Sequence, residues 1–332
     1  MAQMKYFYEL TISSSPHAHS PVTTQTIMRD VLIALIPAML GSIYFFGFRA
    51  LLVTLVSAAA CVFFEWGFCK IRKLHCKTYD LSAVVTGVLL AFVCPVTIPY
   101  WTIILGDFFA IVLVKMLFGG LGKNIVNPAL AGRAFLFSWP VLMSNWVKVG
   151  FDNAAGLLST ADAVTAATPM SAMHQGALPE ESILDMFLGN IGGCFGETSA
   201  LLLIIGFVYL LYRKVITARI PLAYIGTVAI LAFLFPQGND RIAWMAAQVF
   251  GGGLMLGAIF MATDYVTSPL TKLGQIVYGI GCGIITILIR YFGGYSEGVT
   301  YAILCMNACA VLLDKIGRPV KFGAPKKEAA KK

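Results

Sequence analysis

Long apolar runs, separated by short polar loops, constrain this chain more than any other feature of its sequence. Hydrophobic residues make up 58% of the 332 residues, and charged residues make up only 12%. A soluble domain would hold about 45–50% apolar and about 25% charged residues, so the composition predicts an integral membrane protein. We predict an all-α fold with about ten transmembrane helices. They lie at residues 28–48, 50–69, 81–94, 98–118, 126–144, 198–212, 220–235, 242–262, 274–292 and 299–313.

The basic residues orient these helices. Lys and Arg concentrate in the loops after the second and sixth spans and in the C-terminal tail. Because cytoplasmic loops carry an excess of positive charge, both termini are predicted to be cytoplasmic. The chain then divides into a polar cytoplasmic N-terminus (1–27), a first membrane repeat (28–144), an extracytoplasmic loop (145–182), a second membrane repeat (183–313) and a basic cytoplasmic tail (314–332). The net charge of +8 therefore does not indicate a nucleic-acid partner.

Two stretches of the chain resemble each other. Residues 87–99 read GVLLAFVCPVTIP and residues 257–269 read GAIFMATDYVTSP, with a glycine, a Val-Thr pair and a proline in register. Phe-Gly-Gly also follows both the fourth and the ninth span. An offset of five spans makes the two halves cross the membrane in opposite directions. The pattern predicts two inverted five-helix repeats, with sites at broken helices between the halves.

The long loop between the repeats contains the most distinctive candidate for chemistry. Residues 162–169 read DAVTAATP, and Thr168 is predicted to be exposed there. Its small neighbours leave room for a bulky attached group, and Pro169 stiffens the chain directly after it. From the residues alone, Thr168 is either a site of covalent modification or an ordinary loop threonine.

Further motifs accompany this run: Ser15-Pro16-His17 with TIMRD at 26–30, FGGLGKN at 118–124 with NPA at 127–129, GNIGG at 189–193 with GETS at 196–199, and ATD at 262–264 with TSP at 267–269 and FGGY at 292–295. With them the chain resembles, over essentially its whole length, one known family. This family joins the RnfD component of the Rnf ion-translocating electron-transfer complex to the NqrB component of the sodium-translocating NADH:quinone reductase. The NqrB component usually carries a longer N-terminal extension, so the short polar start favours the Rnf side.

The resemblance implies a cofactor site. In the family, a threonine that ends an Asp-x-x-(Ser/Thr)-x-Ala-Thr run carries FMN through a phosphoester bond. Thr168 matches this acceptor, and Asp162 and Thr165 match the other polar members of the motif. Thr165 and Ala166 stand where many relatives have Ser and Gly or Thr. A second, noncovalent flavin such as riboflavin is compatible with the same resemblance.

The resemblance also implies a biological setting. The chain would be a multi-pass subunit in the cell membrane of a prokaryote, without catalytic activity of its own. The complex would pass electrons from reduced ferredoxin to NAD and export Na⁺ or H⁺. Expected partners are the other Rnf subunits, including an FMN-bearing subunit and iron–sulfur subunits, and a flavin transferase.

Two glycine clusters are candidates for a flavin pocket. Gly119 and Gly120, with Asn124, follow the fourth span, and Gly192 and Gly193 precede the sixth. Such glycines either turn the chain and allow close helix packing, or let the backbone approach a flat flavin ring. Both interpretations stay open at this point.

Ionisable residues inside predicted spans are further candidates. Asp107, in the middle of the fourth span, is a candidate for the ion pathway, and Lys115 could pair with it or reach the membrane interface. Arg133 could hold the anionic form of a flavin or neutralise a residue on another helix. Glu65 is expected to pair with Lys70.

Most of the eight cysteines are expected to be small buried apolar residues. Cys94 and Cys194 lie near interrupted segments, so a cluster shared with partner subunits is an alternative for them. The four histidines have no metal-ligand spacing, and no metal site within this chain is predicted.

Two alternative functions remain open from the sequence. A quinone-reducing complex fed by NADH would keep the flavin, and the copurifying subunits would distinguish it from an Rnf complex. A channel or transporter for small solutes could also be built from inverted repeats. That alternative predicts no bound chromophore and transport without an electron donor.

Overall fold

The computed structural model describes residues 22–73, 78–147, 168–179, 181–238 and 240–316. Every regular element in these ranges is a helix. The first half holds α1 (Thr24–Phe46), α2 (Phe48–Ile71), α3 (Ser82–Phe92), α4 (Tyr100–Phe108), α5 (Pro128–Leu136) and α6 (Pro140–Met143). The second half holds α7 (Pro169–His174), α8 (Ile183–Leu188), α9 (Ala200–Tyr212), α10 (Arg219–Leu234), α11 (Arg241–Phe250), α12 (Leu254–Leu256), α13 (Lys272–Phe292) and α14 (Val299–Leu313). The predicted motif residues Asp162 and Thr165 lie outside the described residues, as do Ser15-Pro16-His17 of the first motif and most of the basic tail.

Several helices have the length and composition of membrane spans. Within the described ranges, α1, α2 and α13 are long and apolar enough to cross a membrane. α11 and the segment Leu254–Met261 meet at 58° and would form a fourth span if the bent pair is counted as one. α3, α9, α10 and α14 are apolar but shorter. The all-helical membrane class is confirmed, and the count of ten spans stays a prediction.

Two predicted spans are broken. The span predicted at 126–144 ends as α5 at Leu136, and Pro140 begins a separate short helix because proline cannot continue the first one. The span predicted at 242–262 is interrupted between α11 and α12, where Gly252 and Gly253 have φ of +64° and +68°. Glycine tolerates this left-handed region, which side chains disfavour. A continuous helix was therefore the wrong prediction at both places.

Two helices continue into wider π-helical turns. α4 runs on through the π-helical segment Phe109–Met116, which carries the buried Lys115. α12 runs on in the same way through Gly257–Met261. Because π turns are uncommon and are found most often at functional sites, these two segments direct attention to the side chains around them.

The two halves of the chain meet through two helix pairs. α1 packs against α9, and α5 packs against α14. Within the first half α2 packs against α3 and α4, and within the second half α10 packs against α13. Asn127 also joins the halves: its side chain caps α5 by accepting from the amide of Ala129 at 3.0 Å, and it donates to the carbonyl of Met261 at 3.1 Å.

Candidate functional site

Thr168 is the N-cap residue of α7. Its Oγ1 accepts a hydrogen bond from the amide of Ser171 at 3.3 Å, and the residue is only 7% exposed. The prediction of an exposed threonine is therefore wrong. The physical reason is that Met170 and Met173 of α7 are buried, so the helix packs into the interior and brings its cap with it.

A small cavity adjoins Thr168. Its volume is about 20 Å³, which is room for one water molecule. Four glycines and two carboxylates contribute to its border: Gly192, Gly193, Gly251, Gly252, Glu197 and Glu297. Because glycine has no side chain, the backbone itself borders the cavity at these positions. The structure thus brings three predicted site residues together, Thr168 with Gly192 and Gly193.

Arg133 lies beside the same carboxylates. It is fully buried, forms an ion pair with Glu297, and approaches Glu197 at 4.0 Å. It also donates to Thr300 Oγ1 at 3.2 Å. Two roles were predicted for Arg133: holding a flavin or pairing with a residue on another helix. In the structure it pairs with acidic residues from distant parts of the chain. Its Nε and the Oε2 of Glu197 have no hydrogen-bond partner among the described residues.

Arg290 is a second buried guanidinium at this site, and the sequence reasoning missed it. Its Nε donates to the carbonyl of Glu297 at 2.9 Å, and its Nη atoms donate to the carbonyls of Gln248, Gly251 and Gly252 at 2.5–3.2 Å. It therefore holds the break between α11 and α12 against the end of α13. One feature of the sequence could have identified Arg290: it is an ionisable residue inside the predicted span 274–292.

A larger cavity also borders Glu297. Its volume is about 260 Å³, and aromatic side chains line it together with Glu297. The ring centroids of Phe137 and Tyr295 are 5.5 Å apart, and those of Tyr295 and Tyr301 are 5.1 Å apart. The guanidinium of Arg133 lies 5.4 Å from the Phe137 ring centroid. A cavity of this kind fits a flat conjugated ring, which the cavity beside Thr168 is too small to hold.

The other predicted pocket residues lie elsewhere. Gly119 and Gly120 have φ of +111° and +87°, so they turn the chain after α4, and they border a cavity together with Glu65. Asn124 borders a further cavity together with Asn127. The predicted flavin pocket is therefore divided between separate places in the fold.

Asp107 is completely buried inside the first half. Its Oδ1 accepts from Ser57 Oγ at 2.7 Å and from Cys61 Sγ at 3.2 Å. Its Oδ2 has no hydrogen-bond partner, and no Lys, Arg or His among the described residues lies within ion-pair distance of it.

Lys115 neither pairs with Asp107 nor extends to the membrane interface. It is 2% exposed, and its Nζ contacts Glu65 at 3.1 Å and Ser82 Oγ at 2.7 Å. The predicted pair of Glu65 with Lys70 is therefore wrong. Residues five apart lie on different faces of a helix, so Lys70 instead places its Nζ 4.8 Å from the Trp66 ring centroid.

Two of the described thiols, Cys94 and Cys194, are fully buried, as expected for small apolar residues. The alternative of a cluster shared with partner subunits stays a prediction. Cys194, Glu197 and Glu297 place ligand atoms within 4.8 Å of one another, a spacing that a metal ion could use. Arg133 pairs with Glu297 and approaches Glu197, so we interpret the group as an ion-pair network.

Comparison with known proteins places this geometry in context. Residues 11–323 match the model of the NQR2, RnfD, RnfE family. The chain is 45% identical to the D component of the Na(+)-translocating ferredoxin:NAD(+) oxidoreductase complex of Acetobacterium woodii, with 96% of each chain covered. It is 44% identical to the D component of the Proton-translocating ferredoxin:NAD(+) oxidoreductase complex of Clostridium ljungdahlii, covering 94% of this chain and 96% of that one. It is also 34% identical to the D component of the Ion-translocating oxidoreductase complex of Actinobacillus succinogenes, covering 93% and 96%.

Proposed function

Because this chain belongs to the NQR2, RnfD, RnfE family, we propose that it is the flavin-bearing membrane subunit of an ion-translocating ferredoxin:NAD⁺ oxidoreductase complex. Family membership and the names of the relatives make it a subunit of an ion-translocating oxidoreductase complex. The proposal adds the covalent flavin, its position and its part in ion movement.

We assign the attachment of FMN to Thr168, through a phosphoester bond to Oγ1. The observation that supports this most directly is that Thr168 borders a cavity whose wall includes glycine backbone and Glu197, with Arg133 4.0 Å from Glu197. Glu197 Oε2 and Arg133 Nε are buried without a partner, which costs free energy unless a ligand or water meets them. Bound FMN would supply a carrier of electrons.

The aromatic cavity beside Glu297 is the proposed location of the flavin ring. Phe137, Tyr295 and Tyr301 offer ring faces to a planar conjugated group. The ion pair of Arg133 with Glu297 places fixed charges beside such a ring, and charges near a flavin tune its potential. This chain would therefore hold the ring and help to set its reduction potential.

The burial of Thr168 implies an order of assembly. A flavin transferase must reach Oγ1, and a 7% exposed residue leaves too little surface for that. Attachment would thus come before α7 packs into the interior. The cap bond from Ser171 then forms around a threonine that already carries its cofactor.

A second flavin, noncovalent riboflavin, is proposed for the cavity that Asn124 and Asn127 border. The Oδ1 of Asn124 is buried there without a hydrogen-bond partner. A ribityl hydroxyl or a ring N–H is the kind of donor that would meet it.

The proposed architecture is two inverted five-helix repeats in the cell membrane of a prokaryote. The symmetric pairing of α1 with α9 and of α5 with α14 supports it, as does the equivalent packing of α2 on α4 and of α10 on α13. Both termini would be cytoplasmic and Thr168 would be on the outer side. Partners would be the other subunits of the complex, including an FMN-bearing subunit and iron–sulfur subunits.

A quinone-reductase subunit is the nearest alternative within the same family. The relatives named as ferredoxin:NAD⁺ complexes favour the Rnf assignment. An iron–sulfur partner that accepts electrons from ferredoxin should copurify with the chain, and copurification of a quinone-reducing set instead would reverse the choice. A solute transporter would leave the Thr168 cavity and the family match without explanation.

The flavin assignment can be tested on a denaturing gel under ultraviolet light, after coexpression with a flavin transferase. The wild-type chain should fluoresce, and its peptide should carry the mass of FMN on Thr168. Thr168→Ala should lose the signal. Thr271→Ala is a matched control, since Thr271 caps α13 in the same way, and it should keep the signal. Absence of fluorescence from the wild-type chain, with a transferase active on another substrate, would contradict the assignment.

A further inference from the structure

The interface of α2 with α4 contains a line of buried polar groups. Ser57, Cys61 and Glu65 follow one another at four-residue spacing on α2, so they lie on one face of the helix. Asp107 and Lys115 of the α4 segment meet that face. Lys115 and Glu65 neutralise each other. Asp107 has no such partner.

An unneutralised carboxylate in this position is unstable. A charged side chain in the middle of a membrane is costly, and such residues pair with an opposite charge or bind an ion. The charged and titratable side chains that the neighbouring helices contribute to this region are Cys61 and Glu65 of α2, Cys94 after α3, Lys115 of α4 and Arg133 of α5. Arg133 is bound to Glu297, so none of them neutralises Asp107.

The hydrogen bonds of Ser57 indicate how the charge is removed. Ser57 Oγ lies 2.7 Å from Asp107 Oδ1 and 2.9 Å from the carbonyl oxygen of Gly87. A hydroxyl has one proton, so it can donate to only one of these two acceptors at a time. Gly87 makes the second contact available because it has no side chain: a Cβ there would lie 2.8 Å from the carbonyl oxygen of Ser57. If Asp107 is protonated and donates to Ser57 Oγ, the single Ser57 proton is free to donate to the carbonyl oxygen of Gly87.

The corresponding interface of the second half has no carboxyl group. α10 and α13 contain no Asp or Glu. Tyr224 and Thr286 form a neutral hydrogen bond there at 2.6 Å. The α10–α13 interface thus lacks the buried, unneutralised carboxyl that the α2–α4 interface contains.

We propose that Asp107 is a proton-binding site, and that uptake of one proton turns the Ser57 hydroxyl from Asp107 to the carbonyl oxygen of Gly87. In the ionised state Ser57 donates to Asp107. On protonation an O–H bond forms on the Asp107 carboxyl, this group donates to Ser57 Oγ, and Ser57 donates to Gly87. No electron moves, and the proton comes from and returns to water. The role of this site in a pump rests on the proposed function.

A proton fits the geometry better than Na⁺. Sodium is a hard cation that prefers several oxygen ligands, as other hard cations do. Here the thiol of Cys61 occupies one side of Asp107 Oδ1 at 3.2 Å, and sulfur is a soft ligand. A proton needs only one acceptor, which Ser57 supplies.

Infrared difference spectroscopy of the assembled complex tests the proposal. The wild type should show the C=O band of a protonated carboxylic acid, shifted in deuterated water and absent in Asp107→Asn. Ser57→Ala should shift the frequency of the band, because the acid loses its hydrogen-bond acceptor. Thr286→Val removes a comparable buried hydrogen bond in the second half and should leave the band unchanged. If the Asp107→Asn complex does not assemble, the frequency shift of the band in Ser57→Ala alone tests the proposal.

Three results would overturn the proposal: a band that persists in Asp107→Asn, an unchanged frequency in Ser57→Ala, or loss of the wild-type band on addition of Na⁺. The last result would identify a sodium site. Flavin fluorescence of the same samples separates this test from the proposed function. A wild-type complex without flavin on this chain would contradict the proposed function, while the infrared band would still decide the role of Asp107.

Discussion

Arg133 is the residue that pairs directly with the buried carboxylates around Thr168. It pairs with Glu297, approaches Glu197, and lies against the Phe137 ring. Without it, Glu297 would lose its ion-pair partner and Glu197 its nearest guanidinium. The pairing offsets the cost of burying an arginine in the interior.

Replacement of Arg133 by methionine should destabilise the protein strongly. Breaking a buried ion pair by removing one partner costs about 3–5 kcal/mol, because the remaining charge stays buried. Arg219→Met is a matched control at an exposed position, where Arg219 bonds only the amide of Gln275, and it should change stability by about 0.5 kcal/mol or less. Thermal unfolding of the purified chain in detergent measures both.

A double variant tests whether the destabilisation by Arg133→Met comes from the lost ion pair with Glu297. Adding Glu297→Gln to Arg133→Met removes one uncompensated charge, so part of the lost stability should return. If the double variant is as unstable as the sum of its single changes, the two residues do not interact energetically and the ion-pair network is contradicted.

The sequence indicated Thr168, Arg133 and Asp107 as candidate residues, but it did not indicate their surroundings. Arg133 and Glu297 are separated by 164 positions, and no local pattern indicates such a contact. Burial of Thr168 depends on α7, which is too short to show a periodic pattern. Asp162 and Thr165 remain predictions of the motif.

At the scale of elements, the glycines between α11 and α12 make the bend that borders the Thr168 cavity. Gly253 combines a φ of +68° with direct proximity to Glu197: a Cβ at this position would overlap the carboxylate. Arg290 then fixes the bend through the carbonyls of Gly251 and Gly252. The bend is therefore specified by backbone geometry and by one side chain.

Gly253→Ala should destabilise the protein by at least about 1–2 kcal/mol, because a non-glycine residue is strained in the left-handed region and the new methyl displaces Glu197. Gly226→Ala is the matched control: Gly226 lies inside α10 with open space around its Cβ position, and it should be neutral or stabilising by about 1 kcal/mol. Unfolding midpoints of the two variants measure the difference. Equal midpoints would show that the bend does not depend on glycine.

The sequence predicted where most helices lie, because apolar runs report burial in lipid or protein directly. It predicted broken helices but did not place a break inside 242–262, because that run stays apolar across its glycines. The repeated Phe-Gly-Gly motif also predicts two equivalent turns, which the structure does not have. Gly119 has a φ of +111°, whereas Gly293 has a φ of −82° and is extended, so the same letters form different turns.

At the scale of the whole molecule, the paired packing of α1 with α9 and of α5 with α14 is the arrangement that two inverted halves would produce. The halves differ in chemistry. The first carries the unneutralised Asp107, and the break in the second borders the cavity of Thr168. Such a division would let a redox change in one half bias the packing of the other, as alternating access requires.

Orientation can be tested with introduced cysteines and a membrane-impermeant maleimide on intact cells. Gly156→Cys should be labelled from outside, and Ala329→Cys should be labelled only after the cells are opened. The parent chain gives the background from the native thiols, of which Cys305 and Cys309 are exposed. Labelling of position 329 in intact cells would reverse the predicted topology.

The central claim is that a flavin on Thr168 lies on the electron path that drives ion movement. The most direct test is ion uptake into sealed vesicles containing the assembled complex, driven by reduced ferredoxin and NAD⁺. Thr168→Ala should lose uptake, and Thr271→Ala should retain it, although loss of either cap costs about 1 kcal/mol. Undiminished uptake by a Thr168→Ala complex, with this chain free of flavin and all subunits present, would contradict the claim.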